Sequence, residues 1–345
     1  MTVPAMSVVV PCRNEQAHIE TCVLSILEQV PPPPGDFEVI VVDGHSDDGT
    51  RELLARLEEE HARLRVIDNP DRITPAAMNR GIRAARGAFV GIFGAHTRYA
   101  EDYLLACSQL LAEHPEADCV GGPIESAGNG AFGQAVAVAM SHPAGVGNAH
   151  HRFPDYEGYA EGACFPVFRR EVFDRIGFYD EDLVRNQDDE LNFRLKLAGG
   201  RVFISPRARS VYFVRERMAT LFRQYFLYGY WRAAVLRKHR RPASFRQLAP
   251  AGLLLLIVTS LIAAVILPPP WSHIGWLTPT VYLGPLLIVA LTKVTQVGWR
   301  TALRIPVALA IMHLSYAAGI LGGVFKHGRG PKNDRKGEAS VSLGT

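Results

Sequence analysis

Several common signatures are missing from this chain of 345 residues. Its five cysteines form no CxxC pair and no metal-like spacing, which excludes a zinc ribbon and indicates reduced thiols of a cytosolic domain. No GxGxxG follows the first apolar run and no GxxxxGK[ST] occurs, which argues against a dinucleotide fold and a P-loop. A net charge of +3 is too small to indicate nucleic acid. The cysteines are Cys12, Cys22, Cys107, Cys119 and Cys164.

The N-terminus predicts no secretory signal, because its first apolar run, residues 7–10, is only four residues long and is followed by Pro11. Up to about residue 215 the chain has the mixed charge of a soluble domain, whereas from Ala249 onward it is mostly apolar. We predict four parts. They are a cytosolic domain over residues 1–215, an interfacial helix or linker over 216–248, a membrane region over 249–327, and a basic, disordered tail over 328–345.

The first part alternates short apolar runs with helical stretches. Runs of this kind, with little polar alternation, are typical of strands buried on both faces of a sheet. The order strand, helix, strand, helix predicts an α/β fold with right-handed βαβ connections. The predicted strands are 6–11, 38–43, 64–68, 88–93, 119–125, 160–168, 201–205 and 210–214, and the helices between them include 51–61, 74–86 and 100–113.

The stretch EVIVVDGHSDDGT, residues 38–50, joins an apolar strand to an acidic turn. Open α/β sheets bind ligands at the carboxyl ends of their strands. Asp43 could accept a hydrogen bond from the N–H of a base and so hold a nucleotide. The alternative is an ordinary turn in which Asp48 or Thr50 caps the next helix.

Two further ligand-type groups follow later elements of the predicted sheet. His96 ends the turn after the fourth strand. Asp188 lies near the start of a helix predicted over residues 187–198, where backbone N–H groups stabilise a carboxylate. Asp188 could take a proton from an attacking hydroxyl. The alternatives are a helix cap for Asp188 and a polar turn residue for His96.

A basic and aromatic helix over residues 218–241 is typical of a helix on a membrane surface. A calmodulin-like target or a solvated face is the alternative. The apolar segments 250–267, 280–292 and 305–325 then predict two or three membrane spans. Basic residues before the first segment place the soluble domain in the cytoplasm, but three spans would put the basic tail outside, against the positive-inside tendency.

Four motifs, taken in order and spacing, resemble family 2 glycosyltransferases of the inverting GT-A fold. They are MSVVVPCRNE, VIVVDGHSDDGT, GIFGAHTRYAED and RNQDDELNFRLKLAGG. In detail the chain resembles the branch of exopolysaccharide glucosyltransferases that includes the succinoglycan type, over roughly residues 5–240. The resemblance implies a Rossmann-like mixed sheet flanked by helices, followed by an interfacial helix and a C-terminal transmembrane region.

The resemblance also implies roles for individual residues. Asp43 would hold the base, usually uracil, and Asp188 would be the general base, with Gln187 where the family often has Glu. A helix closing over donor and acceptor would contribute Gln224, Trp231 and Arg232. The remaining nucleotide-sugar contacts would come from Pro11, Arg13, Asn14, Glu15, Ala95 and His96.

The chain departs from the family at its metal motif. Members usually carry DxD after the fourth strand, and the exopolysaccharide branch often carries Asp-Ala-His, but this chain has Gly94-Ala95-His96. His96 would then hold the metal with the diphosphate, with water or with another acidic side chain. Because Mg²⁺ prefers oxygen and Mn²⁺ also accepts imidazole, Mn²⁺ is the better candidate.

The resulting hypothesis is a multi-pass cell-membrane enzyme with a cytoplasmic catalytic domain. It would transfer a sugar, chiefly glucose, from a UDP-sugar to a polyprenyl-diphosphate-linked saccharide or another lipid acceptor, without nucleic acid as a partner. The alternative is a catalytically inactive homologue that regulates a polysaccharide assembly complex, as the missing carboxylate at Gly94 suggests. A processive synthase generally needs more spans than this chain offers.

Overall fold

The computed structural model describes residues 3–242 and 244–327. Within this range the chain divides into two compact units. The first comprises residues 3–125 and 149–212, and the second comprises residues 126–148, 213–242 and 244–327. The predicted tail, residues 328–345, lies outside the described residues.

Within the described ranges, ten strands form two sheets. The strands are β1 (Met6–Cys12), β2 (Phe37–Asp43), β3 (Leu64–Asp68), β4 (Phe89–Ile92), β5 (Cys119–Gly122), β6 (Ile124–Ala127), β7 (Gly158–Ala160), β8 (Cys164–Arg169), β9 (Val202–Ile204) and β10 (Ser210–Phe213).

Fourteen α-helices accompany the strands in the described residues. In the first unit they are α1 (Ile19–Leu27), α2 (Thr50–Glu60), α3 (Thr74–Ala84), α4 (Tyr103–Glu113), α7 (Glu171–Ile176) and α8 (Gln187–Leu197). In the second they are α5 (Gly130–Met140), α6 (Pro143–Val146), α9 (Met218–His239), α10 (Ala249–Ile266), α11 (Trp271–Ile274), α12 (Leu277–Val297), α13 (Trp299–Ala302) and α14 (Ile305–His327).

The large sheet has eight strands in the order β3-β2-β1-β4-β8-β5-β9-β7. The first four run parallel, β8 is antiparallel to both β4 and β5, and β7 is antiparallel to β9. The predicted mixed sheet is therefore confirmed. The chain moves from β1 outward to β3 and then returns to the other side of β1, so strand order reverses between β1 and β4. Such a switch point leaves a crevice at the carboxyl ends of the strands.

Alternate residues of β1 pack on opposite faces of this sheet. Val8 and Val10 belong to the core cluster on one face and Val9 to the cluster on the other, and all three are fully buried. Burial of such a side chain contributes about 1.5–3 kcal/mol. The apolar run therefore fits a strand that helices cover on both sides. In contrast, the strand predicted over residues 119–125 is divided into β5 and β6.

The second unit is built on apolar helices. Three of its helical segments are long and apolar enough to cross a membrane, namely Phe245–Ile266, Trp271–Val297 and Trp299–Lys326. α12 is longer than the predicted segment 280–292 and continues through Pro285. The short apolar helix α5, from the middle of the chain, also belongs to this unit and contacts it through a hydrogen bond from Thr301 Oγ1 to Gln134 Oε1 at 3.1 Å.

Candidate active site

The loops that follow β1 and β2 are joined by hydrogen bonds. The backbone N–H of Asn14 donates to Ser46 Oγ at 2.8 Å. Glu15 N–H donates to Thr50 Oγ1 at 2.9 Å. Asn14 and Asp47 exchange two hydrogen bonds, because the amide of Asn14 donates to the Asp47 carboxylate and its oxygen accepts from the Asp47 backbone. The two predicted nucleotide-binding loops therefore form one connected structure at the edge of the sheet.

Asp43 ends β2 and is almost fully buried, with 1% of its surface exposed. Its carboxylate accepts hydrogen bonds from the N–H and the hydroxyl of Ser46 and from Arg51 Nη1 at 3.0 Å. Arg51 also donates to Asp68 Oδ1 at 2.9 Å and so links the ends of β2 and β3. Because a carboxylate has about four acceptor sites, most of those on Asp43 are already used within the protein.

Asp48 organises the start of α2. Its carboxylate accepts from the hydroxyl of Thr50 at 2.6 Å and from the backbone N–H of Gln16 at 3.2 Å. Burial acts to raise the pKa of Asp48, but these hydrogen bonds stabilise the charged form and hold the pKa below its ordinary value. The Asp48 carboxylate therefore shapes the turn, but the N-cap position of α2 belongs to Gly49, so neither Asp48 nor Thr50 is the cap that the alternative interpretation predicted.

Three other predicted nucleotide contacts differ in exposure. Ala95 is 3% exposed and packs in the apolar core, so only its backbone is available to a ligand. Arg13 is half-buried and lies against Gly44, where an added Cβ would come within 3.2 Å of Arg13 Cβ. Pro11 is half-buried at the end of β1.

Aromatic side chains pack beside Gly94, the position at which members of the family usually have a carboxylate. A Cβ added at Gly94 would lie 3.1 Å from Phe165 Cε1, closer than most real contacts. The hydroxyl of Tyr99 accepts from Gly94 N–H at 2.7 Å, and its ring meets that of Phe165 edge to face at 5.2 Å. The ring of Phe165 therefore occupies space beside the position of the missing side chain.

His96 has an acidic neighbour. Its Nδ1 lies 3.5 Å from Glu15 Oε1, with His96 half-exposed and Glu15 7% exposed. Among the described residues there is no cluster of three or more His, Cys, Asp or Glu side chains suited to a metal ion. The pair can supply one nitrogen and one or two oxygens, a mixed donor set that fits Mn²⁺ better than Mg²⁺, provided that a ligand supplies the remaining oxygens.

Asp188 is the second residue of α8 and its side chain is exposed. The N-cap position belongs to Asn186, so Asp188 is not the cap of this helix. Its carboxylate accepts from the backbone N–H of Asp189 at 2.8 Å. Glu190 is fully buried and forms an ion pair at 2.9 Å with Arg194 of the same helix, and Arg194 holds the helix in place by donating to the backbone oxygen of Phe178 at 2.6 Å.

Two observations place α8 beside the start of β8. Gly162 lies against the helix, since a Cβ there would meet the amide of Asn192 at 2.6 Å. Burial is the largest cause that raises the pKa of the Cys164 thiol, to about 12. The positive charge of Arg152 acts to lower this pKa, and the negative charge of Asp188 acts to raise it. Asp188 and Arg152 are therefore both within electrostatic reach of the residue that precedes Phe165.

Four residues of this region adopt a left-handed backbone, with φ between 46° and 59°. Asn14, His45 and Asn186 are of types that tolerate this conformation, and Asn186 directly precedes α8. Phe165, with φ of 46°, is bulky and precedes a proline, and such a conformation costs about 1–3 kcal/mol. Tyr103 supports it, because its hydroxyl donates to Phe165 O at 3.0 Å.

Sequence reasoning missed Phe165 and Arg152 as parts of this region. Arg152 ends the stretch HPAGVGNAHHR, which is typical of a loop that covers a site, but nothing in that stretch distinguishes this arginine. The backbone angle of Phe165 has no signal in its residue type. The predicted acceptor residues Gln224, Trp231 and Arg232 are on α9 in the second unit, where each is at most 9% exposed.

The eight-stranded mixed sheet, with charged groups at its switch point, defines a GT-A-like class of protein. The fold is shared with a mannosyltransferase from Pyrobaculum calidifontis, PcManGT, solved in complex with GDP-Man and Mn²⁺. That structure superposes with a TM-score of 0.58 at 21% identity, over 93% of this chain and 88% of the other.

The profile of the family described as "Glycosyl transferase family 2" matches residues 7–177. The succinoglycan biosynthesis protein ExoA of Rhizobium meliloti (strain 1021) is 33% identical over 330 residues, which cover 92% of this chain and 94% of that protein. This chain therefore belongs to glycosyltransferase family 2 and is a glycosyltransferase, as the sequence motifs predicted.

A more distant relative comes from Methanococcus voltae and is 23% identical over 329 residues, 93% of this chain and 97% of that protein. Its name is dolichyl N-acetyl-alpha-D-glucosaminyl phosphate 3-beta-D-2,3-diacetamido-2,3-dideoxy-beta-D-glucuronosyltransferase.

Proposed function

We propose that this enzyme transfers a sugar, chiefly glucose, from a UDP-sugar to a lipid-linked acceptor, with inversion, in exopolysaccharide or cell-envelope glycan synthesis. The observation that carries the proposal is the exposed carboxylate of Asp188 at the start of α8, in the same unit as the switch-point crevice. The names of two relatives, one in succinoglycan biosynthesis and one acting on a dolichyl-linked sugar phosphate, support a lipid-linked saccharide as the acceptor.

In the proposed reaction the hydroxyl oxygen of the acceptor attacks the anomeric carbon of the donor sugar. The bond from that carbon to the diphosphate oxygen breaks, and UDP leaves with the electron pair. Asp188 takes the proton of the attacking hydroxyl. Asp188 lies in the first turn of α8, where the helix N-terminus interacts favourably with the negative charge of a carboxylate.

The nucleotide would lie over the loops that follow β1 and β2. Asn14 and Arg13 present polar groups there, while the hydrogen-bonded frame of Ser46, Asp47 and Asp48 holds the loops in place. Asp43 would contact the base through an acceptor site that Ser46 and Arg51 leave available, so its part in binding is largely to fix the loop.

A divalent ion is suggested by the Mn²⁺ complex of the mannosyltransferase that shares this fold. Glu15 and His96 would hold it here, and the bound ion would neutralise charge on the diphosphate. The cation of Arg152 would add to this stabilisation from the side of Cys164.

The helices of the second unit support a membrane location, since three segments are long and apolar enough to cross a bilayer. A lipid-linked acceptor would be available to an enzyme anchored in this way. We propose that Gln224, Trp231 and Arg232 of α9 contribute to binding that acceptor.

The proposal is tested with membranes that contain the protein. Release of UDP, and transfer of radiolabelled sugar into the lipid fraction, are measured with UDP-glucose, other UDP-sugars, GDP-mannose and dTDP-glucose, each with Mn²⁺, with Mg²⁺ or with chelator. We expect transfer from a UDP-sugar, with Mn²⁺ more effective than Mg²⁺. Transfer from GDP- or dTDP-sugars alone would refute the donor assignment. Nucleotide binding without any transfer by the purified protein would favour the inactive regulator.

A further inference from the structure

The three apolar segments of the second unit differ in how far the protein itself covers them. In the most apolar 18 residues of each, 6% of the first segment, 22% of the second and 44% of the third are buried inside the protein. The third contains α14. A helix that crosses a bilayer as an outer member of a bundle presents apolar side chains to lipid along its length. α14 is therefore the least suited of the three to that position.

The exposed apolar residues show the same contrast. α10 exposes large apolar side chains along its length, including Leu255, Ile262 and Val265. On α14 the exposed large apolar side chains, Val307, Val324 and Phe325, lie within three residues of its first and last turns. Between residues 308 and 323 every side chain of α14 is buried or half-buried, and none is exposed.

The second half of α14 is paired with α9. A Cβ added at Gly319 would lie 2.0 Å from Phe226 O, and one at Gly323 would lie 2.5 Å from Tyr230 O. A Cβ at Gly229 would in turn lie 2.0 Å from Tyr316 O. The contacts of Gly319 with Phe226 and of Gly323 with Tyr230 advance by four residues along both helices, so the two helices run parallel with their backbones touching. Glycines spaced four apart permit such close packing.

The first half of α14 is held by α6 and α12. His313 Nε2 lies 2.8 Å from the backbone oxygen of Ala144, and His313 Nδ1 lies 3.1 Å from the hydroxyl of Tyr282. Gly145 lies against Leu309, with an added Cβ 3.0 Å from its Cδ2. Protein therefore contacts α14 from its first turns to its last.

The position of α9 in the chain fixes the side on which α14 ends. α9 precedes α10, the first segment that could cross, so it lies on the side of the membrane where the chain begins. It exposes Arg223, Arg237 and Lys238, which do not enter hydrocarbon readily. Lys326, at the end of α14, lies 5.8 Å from the ring of Tyr230 on α9. The end of α14 is thus beside α9.

We infer that α14 is not a third membrane crossing but pairs with α9 on the side of the membrane where α9 lies. The chain then crosses the membrane an even number of times. The basic residues after α14 then lie on the same side as the basic end of α9, as the positive-inside tendency requires. The exposed Arg237 and Lys238 of α9 are then available to anionic lipid headgroups of that leaflet.

The test is single-cysteine labelling of the full-length protein. Ser340→Cys places a thiol in the tail, and the wild-type chain gives the background, because four of its five cysteines are buried and Cys164 is partly so. Intact cells and inverted membrane vesicles are treated with a membrane-impermeant maleimide. We expect labelling above background in inverted vesicles and none in intact cells. Labelling in intact cells, or none in inverted vesicles, would overturn the inference.

A second variant provides a reference position on α9 with which the tail can be compared. Lys238→Cys places a thiol at the exposed end of α9. The tail should lie on the same side of the membrane as this position. We expect Lys238→Cys and Ser340→Cys to label in the same membrane preparation. Opposite accessibility of the two positions would show that α14 crosses.

Discussion

The two sides of the proposed active site are built in opposite ways. On the nucleotide side, the loops after β1 and β2 bond to each other through Asn14, Ser46 and Asp47, and Asp43 is buried among donors. On the transfer side, Asp188 and His96 are exposed, and Phe165 holds a strained backbone beside Gly94.

This difference fits the role proposed for each side, nucleotide binding on one and sugar transfer on the other. A nucleotide is common to substrate and product, so a rigid frame can bind it in both states. Groups that accept a proton or balance a leaving charge must face the reacting atoms and stay open to them. Strain at a site of this kind persists only where the surrounding packing enforces it, as Tyr103 and Tyr99 do for Phe165.

The largest effect should come from removing the proton acceptor. We expect Asp188→Asn to lower kcat by about 10²–10⁴-fold, because a positioned general base contributes that much. UDP affinity, measured by calorimetry, should stay unchanged. Asp189→Asn is the matched control in the same helix turn and should retain activity. Full transfer by Asp188→Asn with UDP binding intact would refute the assignment of this residue.

The next effect concerns the metal. Loss of even an outer partner of a metal ligand costs about 10–100-fold in affinity, so we expect at least that loss of Mn²⁺ affinity in Glu15→Gln and in His96→Ala. The measurement is the Mn²⁺ dependence of UDP binding by calorimetry, together with the electron paramagnetic resonance of bound Mn²⁺. The paired variant should lose less Mn²⁺ affinity than the product of the two single losses if both residues hold one ion. Unaltered Mn²⁺ binding in both variants would contradict this site.

A smaller effect is expected when the missing carboxylate is restored. Gly94→Asp adds a Cβ that meets the Phe165 ring at 3.1 Å, and such overpacking typically costs about 1–3 kcal/mol of stability. We expect a lower thermal unfolding temperature and no gain in Mn²⁺ affinity. Gly94→Asp combined with Phe165→Ala gives the carboxylate room and should bind Mn²⁺ more tightly than Gly94→Asp. Equal Mn²⁺ affinity in the two would show that Phe165 does not limit this position.

The smallest effect belongs to the nucleotide side. Because the folded pKa of Asp48 lies below its ordinary value, its charge stabilises the fold above about pH 4, and this contribution is lost as the pH falls through the folded pKa. We expect Asp48→Asn to unfold at a lower temperature than the wild type at pH 6, with the gap closing at lower pH. Thermal unfolding of the detergent-solubilised protein measures it. A gap that does not change between pH 6 and pH 3 would contradict the proposed role of this charge.

The strands, the mixed sheet and the family were predictable because local patterns determine them. Apolar runs such as Val8–Val10 signal strands buried on both faces, and the four motifs retain their order and spacing along the chain. The three apolar segments were also predicted, although α12 proved longer. Their apolar composition alone was enough to identify them as candidate membrane spans.

The sequence by itself thus determined the secondary structure of the core, the family and the residue types at the site. Only the tertiary structure decided which of them meet. It placed Glu15 beside His96, eighty-one positions along the chain, set Phe165 against Gly94, and paired α14 with α9. Hydrophobic periodicity tells which face of an element is buried but not which element covers it. That choice depends on packing among residues far apart in the chain, which no local pattern records.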